Sequence, residues 1–580
     1  MSKTPEFDKT IEKYFSELKT DESGGLWRSC ALSGEKFYIR KEDIDFYKKI
    51  SVSLPTFSYK ERLRRKLAYL NSYTLFRVKS AHSGKEIIAA YPPDTSFKIY
   101  EHQFWFSGEF DALGYGMDCE MGKNFFDQFD VFQRRVPRPN LMTDSTNVRS
   151  DFSNFSTHLK DCYLTFDTLS GENLYYFLCC EKSKDCIDCE SMFSSEFCYS
   201  SQLVHNSYKC FFVERSFDCR DSYFLYDCRN CECCFMCSNL RHKKYCFMNQ
   251  QLSKEEYEEK MKGINLGSYK TLKKYKNEFN ELKRNATYKP DNNYKATNCF
   301  GDFIENSRGC YNSYFVFDSE NTNYCMGLIR ARDSYDTLGG DSPELCYEFV
   351  SLSVKDNYKV KFSFQMNNCR EVEYSHLCRN CSYCFGCVGL DKKSFCIFNK
   401  QYSEKEYWKK LDKIKTWMLE RREYGEFFPP RLSPFPYKIS ANFSYPGFRD
   451  LKEAEKYGYN VSDIDEFSDE AKENSVDADE LPDNIEDTLD DILSKNVFDR
   501  ENRKYFRLTK YELDFYKRFN LALPHEHPLI RLGRFREIYN LKIEPYERVC
   551  GKCGKKITSF YNPEVYKNVF CEECYAREIV

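Results

Sequence analysis

Small and apolar side chains recur at a fixed interval through the middle of the chain, with polar residues between them. The interval is nine residues over five cysteines, and it returns further along the chain over four more. These ladder cysteines are Cys210, Cys219, Cys228, Cys237 and Cys246, and then Cys369, Cys378, Cys387 and Cys396. A short step sustained over many residues is typical of a β-solenoid, in which each part of a turn stacks on the one before. The pattern therefore predicts two β-solenoid-like units with small side chains at the inward positions.

Two denser runs of cysteine lie within the ladder at a spacing of three. They are Cys228, Cys231, Cys234 and Cys237, and then Cys378, Cys381, Cys384 and Cys387. Thiolate ligands of an iron–sulfur cluster or of a second zinc ion have similar spacings. Ligands have to converge on one point, however, whereas a ladder spreads its members along an axis. The interval of nine favours packed interior thiols, and the two metal interpretations stay open.

The chain contains two nested duplications. Residues 228–264 match residues 378–414 at an offset of 150, and this match defines the central modules B and B′. Nearer the ends, FYIRKEDIDFYKK from Phe37 parallels FRLTKYELDFYKR from Phe506, and SGKEI at Ser83 parallels CGKKI at Cys553. The second match defines the terminal modules A and A′. The order along the chain is therefore A–B–B′–A′.

Composition shifts and the repeats give the boundaries of the modules. We predict a tail (1–24), module A (25–150), module B (151–265), a basic helical linker (266–298), module B′ (299–440), an acidic flexible linker (441–495) and module A′ (496–580). Each B module is expected to close with a helix, because Ser253 with Glu256, and Ser403 with Glu406, form capping boxes ahead of amphipathic stretches.

The strongest chemical signal is a pair of C-x-x-C motifs near the C-terminus. Cys550, Cys553, Cys571 and Cys574 lie in CGKCGKKITSFYNPEVYKNVFCEEC. Each C-x-x-C turn directs two thiolates at one point, and two such turns complete a tetrahedral Zn²⁺ shell. We expect one structural Zn²⁺ site, since protein thiolates fill all four positions; unmetallated thiol pairs are the alternative. A helix after the second pair favours a treble clef over a zinc ribbon.

Module A lacks these ligands. Ser80, Ser83, Glu101 and Phe104 stand where module A′ has its four cysteines. We therefore expect module A to keep the fold without a metal, and we interpret the isolated Cys30 as a buried small residue. The predicted fold class is a multi-domain, β-rich protein: two tandem β-solenoid-like units with capping helices, flanked by duplicated α+β treble-clef or zinc-ribbon-like modules.

Both terminal modules carry basic residues ahead of the knuckle. They are Arg62, Arg64, Arg65 and Lys66 in module A, and Arg531, Arg534 and Arg536 in module A′. Guanidinium groups beside a zinc knuckle are a common arrangement in nucleic-acid-binding proteins. The pattern predicts binding of RNA or DNA through these residues; the alternatives are a solvated helix face and an intramolecular partner for the acidic linker.

Composition narrows the function classes. The formal net charge of −3 gives no global electrostatic attraction to nucleic acid or to an anionic membrane. No apolar run approaches the roughly 18 residues of a membrane span, and the first residues show no signal-peptide pattern. We therefore expect a cytoplasmic protein, in which the 30 cysteines stay reduced.

Three stretches carry a resemblance to a known family. FGCVGLDKKSFCIFNKQYSEKEYW, YGEFFPPRLSPFPY at Tyr424, and the ELDFYKR…LP…R…C-x-x-C ending are similar to cysteine- and aromatic-rich zinc-ribbon proteins of candidate-phyla-radiation bacteria. The resemblance spans most of the chain, and it implies an architecture without an established activity. Module A departs from the family pattern because its cysteines are missing.

The sequence favours a protein that is not an enzyme. It contains no phosphate-binding loop, dinucleotide fingerprint, nucleophile elbow or H-E-x-x-H motif, and no small-molecule substrate is indicated. The working hypothesis is a zinc-containing protein that binds RNA or another polyanion. A protein–protein scaffold that uses an aromatic-rich solenoid surface is the first alternative, and an iron–sulfur redox protein is the second.

Overall fold

The structure is a computed structural model that describes residues 2–352, 355–464, 473–538 and 545–579. The chain forms two compact units, each built from two separate segments. Unit 1 consists of Met1–Met142 and Asn292–Ile464, and unit 2 consists of Thr143–Asp291 and Asp465–Val580. Unit 1 thus combines module A with module B′, and unit 2 combines module B with module A′. The predicted multi-domain, β-rich architecture is confirmed.

The helices of the described residues are short, apart from two of 17 residues. They are α1 (Pro5–Ser16), α2 (Lys41–Lys49), α3 (Tyr59–Leu67), α4 (His102–Phe106), α5 (Phe125–Arg135), α6 (Lys254–Lys262), α7 (Tyr269–Asn285), α8 (Glu404–Glu420), α9 (Ala441–Ser444), α10 (Leu451–Lys456), α11 (Lys510–Phe519), α12 (Pro528–Arg534) and α13 (Glu572–Ile579). None of these helices is long and apolar enough to cross a membrane.

The strands form two large sheets and several small ones. Module A contains β1 (Leu26–Ser29), β2 (Lys36–Ile39), β3 (Phe76–Lys79), β4 (Glu86–Ala89), β5 (Ile99–Tyr100) and β6 (Arg138–Pro139). Strand stack 1 contains β7 (Ser153–Asn154), β8 (Leu159–Lys160), β9 (Tyr163–Phe193), β10 (Tyr199–His205), β11 (Tyr208–Glu214), β12 (Arg220–Tyr226), β13 (Phe235–Ser238), β14 (Cys246–Phe247) and β15 (Gln250–Gln251).

The second half repeats this arrangement in reverse order. Strand stack 2 contains β16 (Phe300–Glu305), β17 (Tyr311–Phe317), β18 (Met326–Ile329), β19 (Tyr335–Leu338), β20 (Tyr347–Val350), β21 (Lys361–Phe364), β22 (Arg370–Glu373), β23 (Ser382–Phe385), β24 (Ser394–Ile397) and β25 (Lys400–Gln401). Module A′ contains β26 (Ser475–Asp477), β27 (Asn496–Asp499), β28 (Lys504–Phe506), β29 (Tyr546–Val549) and β30 (Lys556–Ser559).

Successive strands in each stack are parallel, apart from the closing antiparallel pairs β14–β15 and β24–β25. Most turns of the backbone take twelve residues. Tyr208 pairs with Arg220 in stack 1, and Ser382 pairs with Ser394 in stack 2. The interval of nine that we found in the sequence is therefore three quarters of a turn, not the repeating unit. The structural period is three residues, because a residue with positive φ precedes each inward position. For example, Asp218, Asp221, Phe224 and Asp227 precede the inward Cys219, Ser222, Leu225 and Cys228.

The inward side chains satisfy backbone groups, which explains why cysteine and serine share these positions. Ser201 Oγ donates to Tyr199 O at 2.9 Å and accepts the N–H of Val213, one turn later, at 3.1 Å. Cys186 Sγ makes the same two bonds, to Lys184 O at 3.1 Å and from the N–H of Cys198 at 3.4 Å. Because an unpaired buried N–H group is costly, a small side chain with an acceptor atom is favoured there.

The predicted capping boxes and linkers have clear positions. Ser253 caps α6 and Ser403 caps α8, each with the reciprocal glutamate bond of a capping box. The basic linker forms α7, which buries Leu272 and Phe279 in the core of unit 2. In the acidic linker, residues 465–472 lie outside the described residues. Ile485, in the part that follows, is buried in the same core, so this part is packed and does not form the flexible linker we expected.

Each terminal module packs on its strand stack through equivalent contacts. Tyr47 of α2 meets Tyr347 of stack 2 at a ring distance of 5.3 Å and an angle of 70°. Tyr516 of α11 meets Tyr199 of stack 1 at 5.4 Å and 69°. The two units are therefore two copies of one arrangement, although the terminal module precedes the stack in unit 1 and follows it in unit 2.

Candidate metal centre

The four cysteines near the C-terminus converge on one point. The sulfur atoms of Cys550, Cys553, Cys571 and Cys574 all lie within 4.8 Å of one another. Cys553 is exposed, whereas the other three are buried. Four sulfur ligands at this spacing fit a tetrahedral metal ion, and they leave no position open for a substrate. This group is the one cluster of metal-ligand side chains within the described residues.

Local structure places these four ligands. Cys550 and Cys553 lie in the tight connection between β29 and β30, where Gly554 adopts a φ of 72° that favours glycine. Cys571 directly precedes α13, and Cys574 lies in the first turn of that helix. We call such a combination of a hairpin and a following helix a knuckle. The described residues contain four of them, numbered in chain order, and this one is knuckle 4.

Backbone N–H groups surround the Cys550 sulfur. The N–H groups of Lys552, Cys553 and Cys571 donate to Sγ at 3.4, 3.5 and 3.2 Å. Burial raises the pKa of Cys550, but the backbone hydrogen bonds outweigh it and lower the pKa to about 6. The thiolate form that a metal requires is thus stabilised before a metal binds.

Knuckle 4 is fixed to strand stack 1. Tyr575 of α13 donates its hydroxyl proton to Asp227, and Arg241 lies 3.0 Å from the same carboxylate. On the other side, the N–H of Phe570 donates to Tyr288 O at 2.9 Å. A metal ion bound to the four cysteines would therefore hold the hairpin to the helical segment that carries these contacts.

Module A contains the same geometry with hydrogen bonds in place of a metal. β3, β4 and α4 form knuckle 2, in which Ser80 Oγ donates to Glu101 Oε2 at 2.6 Å. Ser83 donates to the other oxygen of Glu101. His82 stacks on Phe104 at a ring distance of 3.7 Å, so the fourth ligand position is apolar. The Glu101 carboxylate thus joins hairpin to helix, as a metal ion bound to the four cysteines would do in knuckle 4.

Two further knuckles were missed in the sequence. β1 and β2 with α3 form knuckle 1, and β27 and β28 with α12 form knuckle 3. The residues equivalent to the four cysteines of knuckle 4 are Cys30, Ser33, Ser58 and Glu61 in knuckle 1, and Asp499, Asn502, His527 and Ile530 in knuckle 3. In knuckle 1 the sequence signal for the hairpin is the glycine of S-G-E-K after Cys30. Knuckle 3 lacks this signal, because Arg503 occupies the equivalent left-handed position with a φ of 54°.

The first position of every knuckle accepts the same backbone hydrogen bond. The N–H group three residues later donates to Cys30 Sγ at 3.5 Å, to Ser80 Oγ at 3.2 Å, to Asp499 Oδ1 at 3.1 Å and to Cys550 Sγ at 3.5 Å. The helix start is also bound there, since the N–H of His527 donates to Asp499 at 2.9 Å. The first position of each knuckle thus has an acceptor atom, although only knuckle 4 has a thiol at all four ligand positions.

The basic residues of module A lie in the interior of unit 1. Arg62, Arg64, Arg65 and Lys66 are each 3% exposed or less. Arg62 Nε lies 2.9 Å from Asp336 Oδ1, and Lys66 Nζ lies 3.3 Å from Glu348 Oε2. Both carboxylates belong to strand stack 2. Arg65 pairs with Glu426 at 3.0 Å, and Arg64 pairs with Glu453.

The basic residues of module A′ are paired as well. Arg531 lies 3.1 Å from Asp188, and Arg536 lies 2.6 Å from Glu190. Arg534 is exposed and pairs with Glu526. These placements correct the expectation of a basic surface, because the groups predicted to bind phosphates are engaged with carboxylates. Most of these carboxylates belong to the strand stacks, and only Glu453 belongs to the acidic linker.

The central cysteine runs are interior residues of the strand stacks. All eight are 2% exposed or less, and they occupy successive inward positions of one turn. Cys228 Sγ donates to Tyr226 O at 3.5 Å, and Cys381 Sγ donates to Arg379 O at 3.1 Å. These thiols therefore make hydrogen bonds to backbone groups inside the stacks.

Comparison of the chain with family models, with curated proteins and with solved structures gives no match.

Proposed function

We propose that this protein is a non-enzymatic scaffold with one structural zinc ion. The observation that carries the proposal is the equivalence of the four knuckles. In knuckle 4 the four thiols join hairpin to helix, and in knuckle 2 two serines and a glutamate make the same connection. A connection that can be made either by a metal ion or by hydrogen bonds has a structural role. A catalytic metal, in contrast, keeps an open coordination position.

The ion suited to this site is Zn²⁺. Four thiolates in a closed tetrahedral set are the ligands of structural zinc, which has no redox chemistry and accepts this geometry without strain. In this proposal the knuckles are treble-clef-like modules, and the two strand stacks are β-solenoids. The 30 cysteines support a reducing compartment, and we propose the cytoplasm.

A protein partner fits the surface better than RNA does. The seven basic residues that motivated the RNA prediction are paired with carboxylates, so a phosphate backbone would have to displace those partners. The hairpins of knuckles 1 and 4 each expose a large apolar side chain: Trp27 is 65% exposed and Val549 is 56% exposed. Tryptophan is enriched among the residues that contribute most to protein–protein binding.

The test compares the two partner classes with the zinc-loaded full chain. Co-purification from nuclease-treated extract should recover a protein partner, and Trp27→Ser with Val549→Ser should release it while the far-ultraviolet circular dichroism stays unchanged. Binding of labelled RNA that weakens steeply with salt would support the polyanion hypothesis instead. An absorbance band near roughly 400 nm with stoichiometric iron would identify an iron–sulfur protein.

A further inference from the structure

Two cysteines stand at equivalent inward positions of the first two turns of strand stack 2. Cys299 lies on the first turn and is half-buried, whereas Cys310, one turn further, is 1% exposed. The two turns are joined beside them, since the N–H of Phe300 donates to Cys310 O at 2.8 Å. The pair therefore combines an accessible thiol with a buried thiol that is its neighbour along the stack.

Cys299 lies in the wall of a cleft in unit 1. The cleft has a volume of about 540 Å³, and Arg40, Lys49 and Tyr311 line it together with Cys299. The Arg40 guanidinium lies 3.6 Å from the centre of the Tyr311 ring. Cys299 is partly exposed at the place where this cleft meets the first turn of the stack.

Few other cysteines are accessible. Cys119, Cys179 and Cys233 are partly buried, and Cys553 belongs to the metal centre. Burial raises the pKa of Cys119 to about 12, and it also raises the pKa of Cys179 and Cys233. At Cys299, a hydrogen bond from the Cys310 thiol lowers the pKa to about 6. Outside the metal centre, Cys299 is therefore the accessible thiol that is ionised near neutral pH.

At the equivalent place in unit 2 a serine replaces the thiol, and a tyrosine of α11 packs on the stack. Ser150 stands at the start of stack 1, and its Oγ accepts the N–H of Cys162, one turn later, at 3.0 Å. Tyr511 of α11 stacks on Tyr175 at a ring distance of 4.6 Å and donates to Asp185 at 2.9 Å. Its counterpart in unit 1 is Glu42, which lines the open cleft. The cleft and the thiol thus occur together in one of two otherwise similar units.

We propose that Cys299 and Cys310 are a peroxide-sensitive thiol pair that forms a reversible disulfide at the cleft. The Cys299 thiolate attacks one oxygen of hydrogen peroxide, so that an S–O bond forms, the O–O bond breaks and the departing hydroxide takes a proton to become water. The Cys310 sulfur then attacks the resulting sulfenic acid. An S–S bond forms, the S–O bond breaks, and the Cys310 proton leaves with the hydroxide as a second water. A dithiol reductant restores both thiols.

Alkylation and peptide mapping of the zinc-loaded full chain test the pair. At pH 7 Cys299 should react with iodoacetamide at least about tenfold faster than Cys119 and Cys233, because only its thiolate is well populated. Stoichiometric hydrogen peroxide should give a Cys299–Cys310 disulfide that dithiothreitol reverses. Cys310→Ser should instead leave a Cys299 sulfenic acid that dimedone labels.

Cys299→Ser is the matched control, since serine already stands at the equivalent place in unit 2. It should keep the zinc content and thermal stability of the parent and should form no disulfide. Equal alkylation rates at Cys299, Cys119 and Cys233 would overturn the proposal. So would a peroxide product confined to Cys553, or a Cys310→Ser variant that dimedone does not label.

Discussion

Tyr176 donates its hydroxyl proton to the Glu512 carboxylate over 2.8 Å, and both side chains are buried in unit 2. Tyr324 makes the same bond to Asp43 in unit 1, also at 2.8 Å. Both bonds join the first helix of a terminal module to its strand stack. The contact between module and stack is therefore polar as well as aromatic, and it contains groups that titrate.

Stability should depend on pH through Glu512. Burial raises the pKa of this carboxyl from its ordinary value of 4.5 to about 7. A raised pKa means that the folded state holds the proton more tightly than the unfolded chain does. The stabilisation is fully present below about pH 4.5 and is lost as the pH rises through about 7, by up to about 3 kcal/mol.

Urea unfolding at pH 5 and pH 8 measures this loss. Glu512→Gln is neutral at every pH, so its stability should change less between the two pH values than that of the parent. Glu86→Gln, at an exposed ion pair with Arg77, is the control and should follow the parent. Parallel curves for the parent and Glu512→Gln would contradict the expectation.

The buried pair of Arg62 and Asp336 should be sensitive to removal of one partner. Asp336→Ala leaves a buried guanidinium without its nearest carboxylate and should cost roughly 3–5 kcal/mol in urea unfolding. The double variant Arg62→Met with Asp336→Leu removes both charges, and it should lie within about 1–2 kcal/mol of the parent. Arg77→Met at an exposed pair should cost less than about 1 kcal/mol. A double variant as unstable as the single one would show that the charges themselves are required.

Inward cysteines should tolerate serine better than valine. Cys186 accepts the N–H of Cys198, and serine keeps an acceptor there, as Ser201 shows. Cys186→Val leaves that N–H group unpaired inside the stack and should cost about 1–3 kcal/mol, whereas Cys186→Ser should cost less. Thermal unfolding of the two variants under reducing conditions measures the order. If valine were the better substitute, apolar volume would matter more than the hydrogen bond.

Metal content should be one zinc and no iron per chain. Elemental analysis of protein purified without oxygen gives the ratio, and Cys550→Ser or Cys574→Ser should remove the metal. Limited proteolysis should then cut between β30 and α13, because the ligands no longer hold the hairpin to the helix. Cys378→Ser is the control and should keep the zinc. Two or three metal ions per chain would instead revive a metal role for the central cysteine runs.

Knuckle 2 should accept a metal when its four cysteines are provided. The quadruple variant Ser80→Cys, Ser83→Cys, Glu101→Cys and Phe104→Cys recreates the ligand set of knuckle 4, with the same 18-residue interval between the second and third ligands. It should bind a second zinc ion. A triple variant that keeps Phe104 is the matched control and should bind the ion more weakly. No additional zinc in the quadruple variant would show that the two knuckles differ in geometry.

Local patterns were predictable from the sequence, and long-range pairing was not. The capping boxes at Ser253 and Ser403 and the thiol set of knuckle 4 depend on residues near one another in the chain. The partner of Arg62 stands 274 residues away, and nothing in the sequence around Arg62 indicates a buried carboxylate. The period of the stacks was misread because cysteine fills only some inward positions, while serine, threonine and valine fill the rest.

Knuckles 1 and 3 show a second reason why parts of the structure could not be predicted from the sequence. The first position requires an acceptor atom and not a particular residue type, so Cys30 and Asp499 accept the same backbone hydrogen bond without sharing a motif. A search for metal-ligand spacing finds only the copy that kept all four thiols.

The division of each unit between two distant segments has a consequence for synthesis on the ribosome. Module A emerges about 150 residues before its stack, so Arg62 and Lys66 of α3 have no native carboxylate of stack 2 to meet during that time. The stack that emerges first is the wrong one, yet it offers Asp188 where the right one has Asp336. A nascent chain stalled near residue 291 should therefore dock module A on stack 1, and release from that pairing should limit the rate at which the finished chain matures.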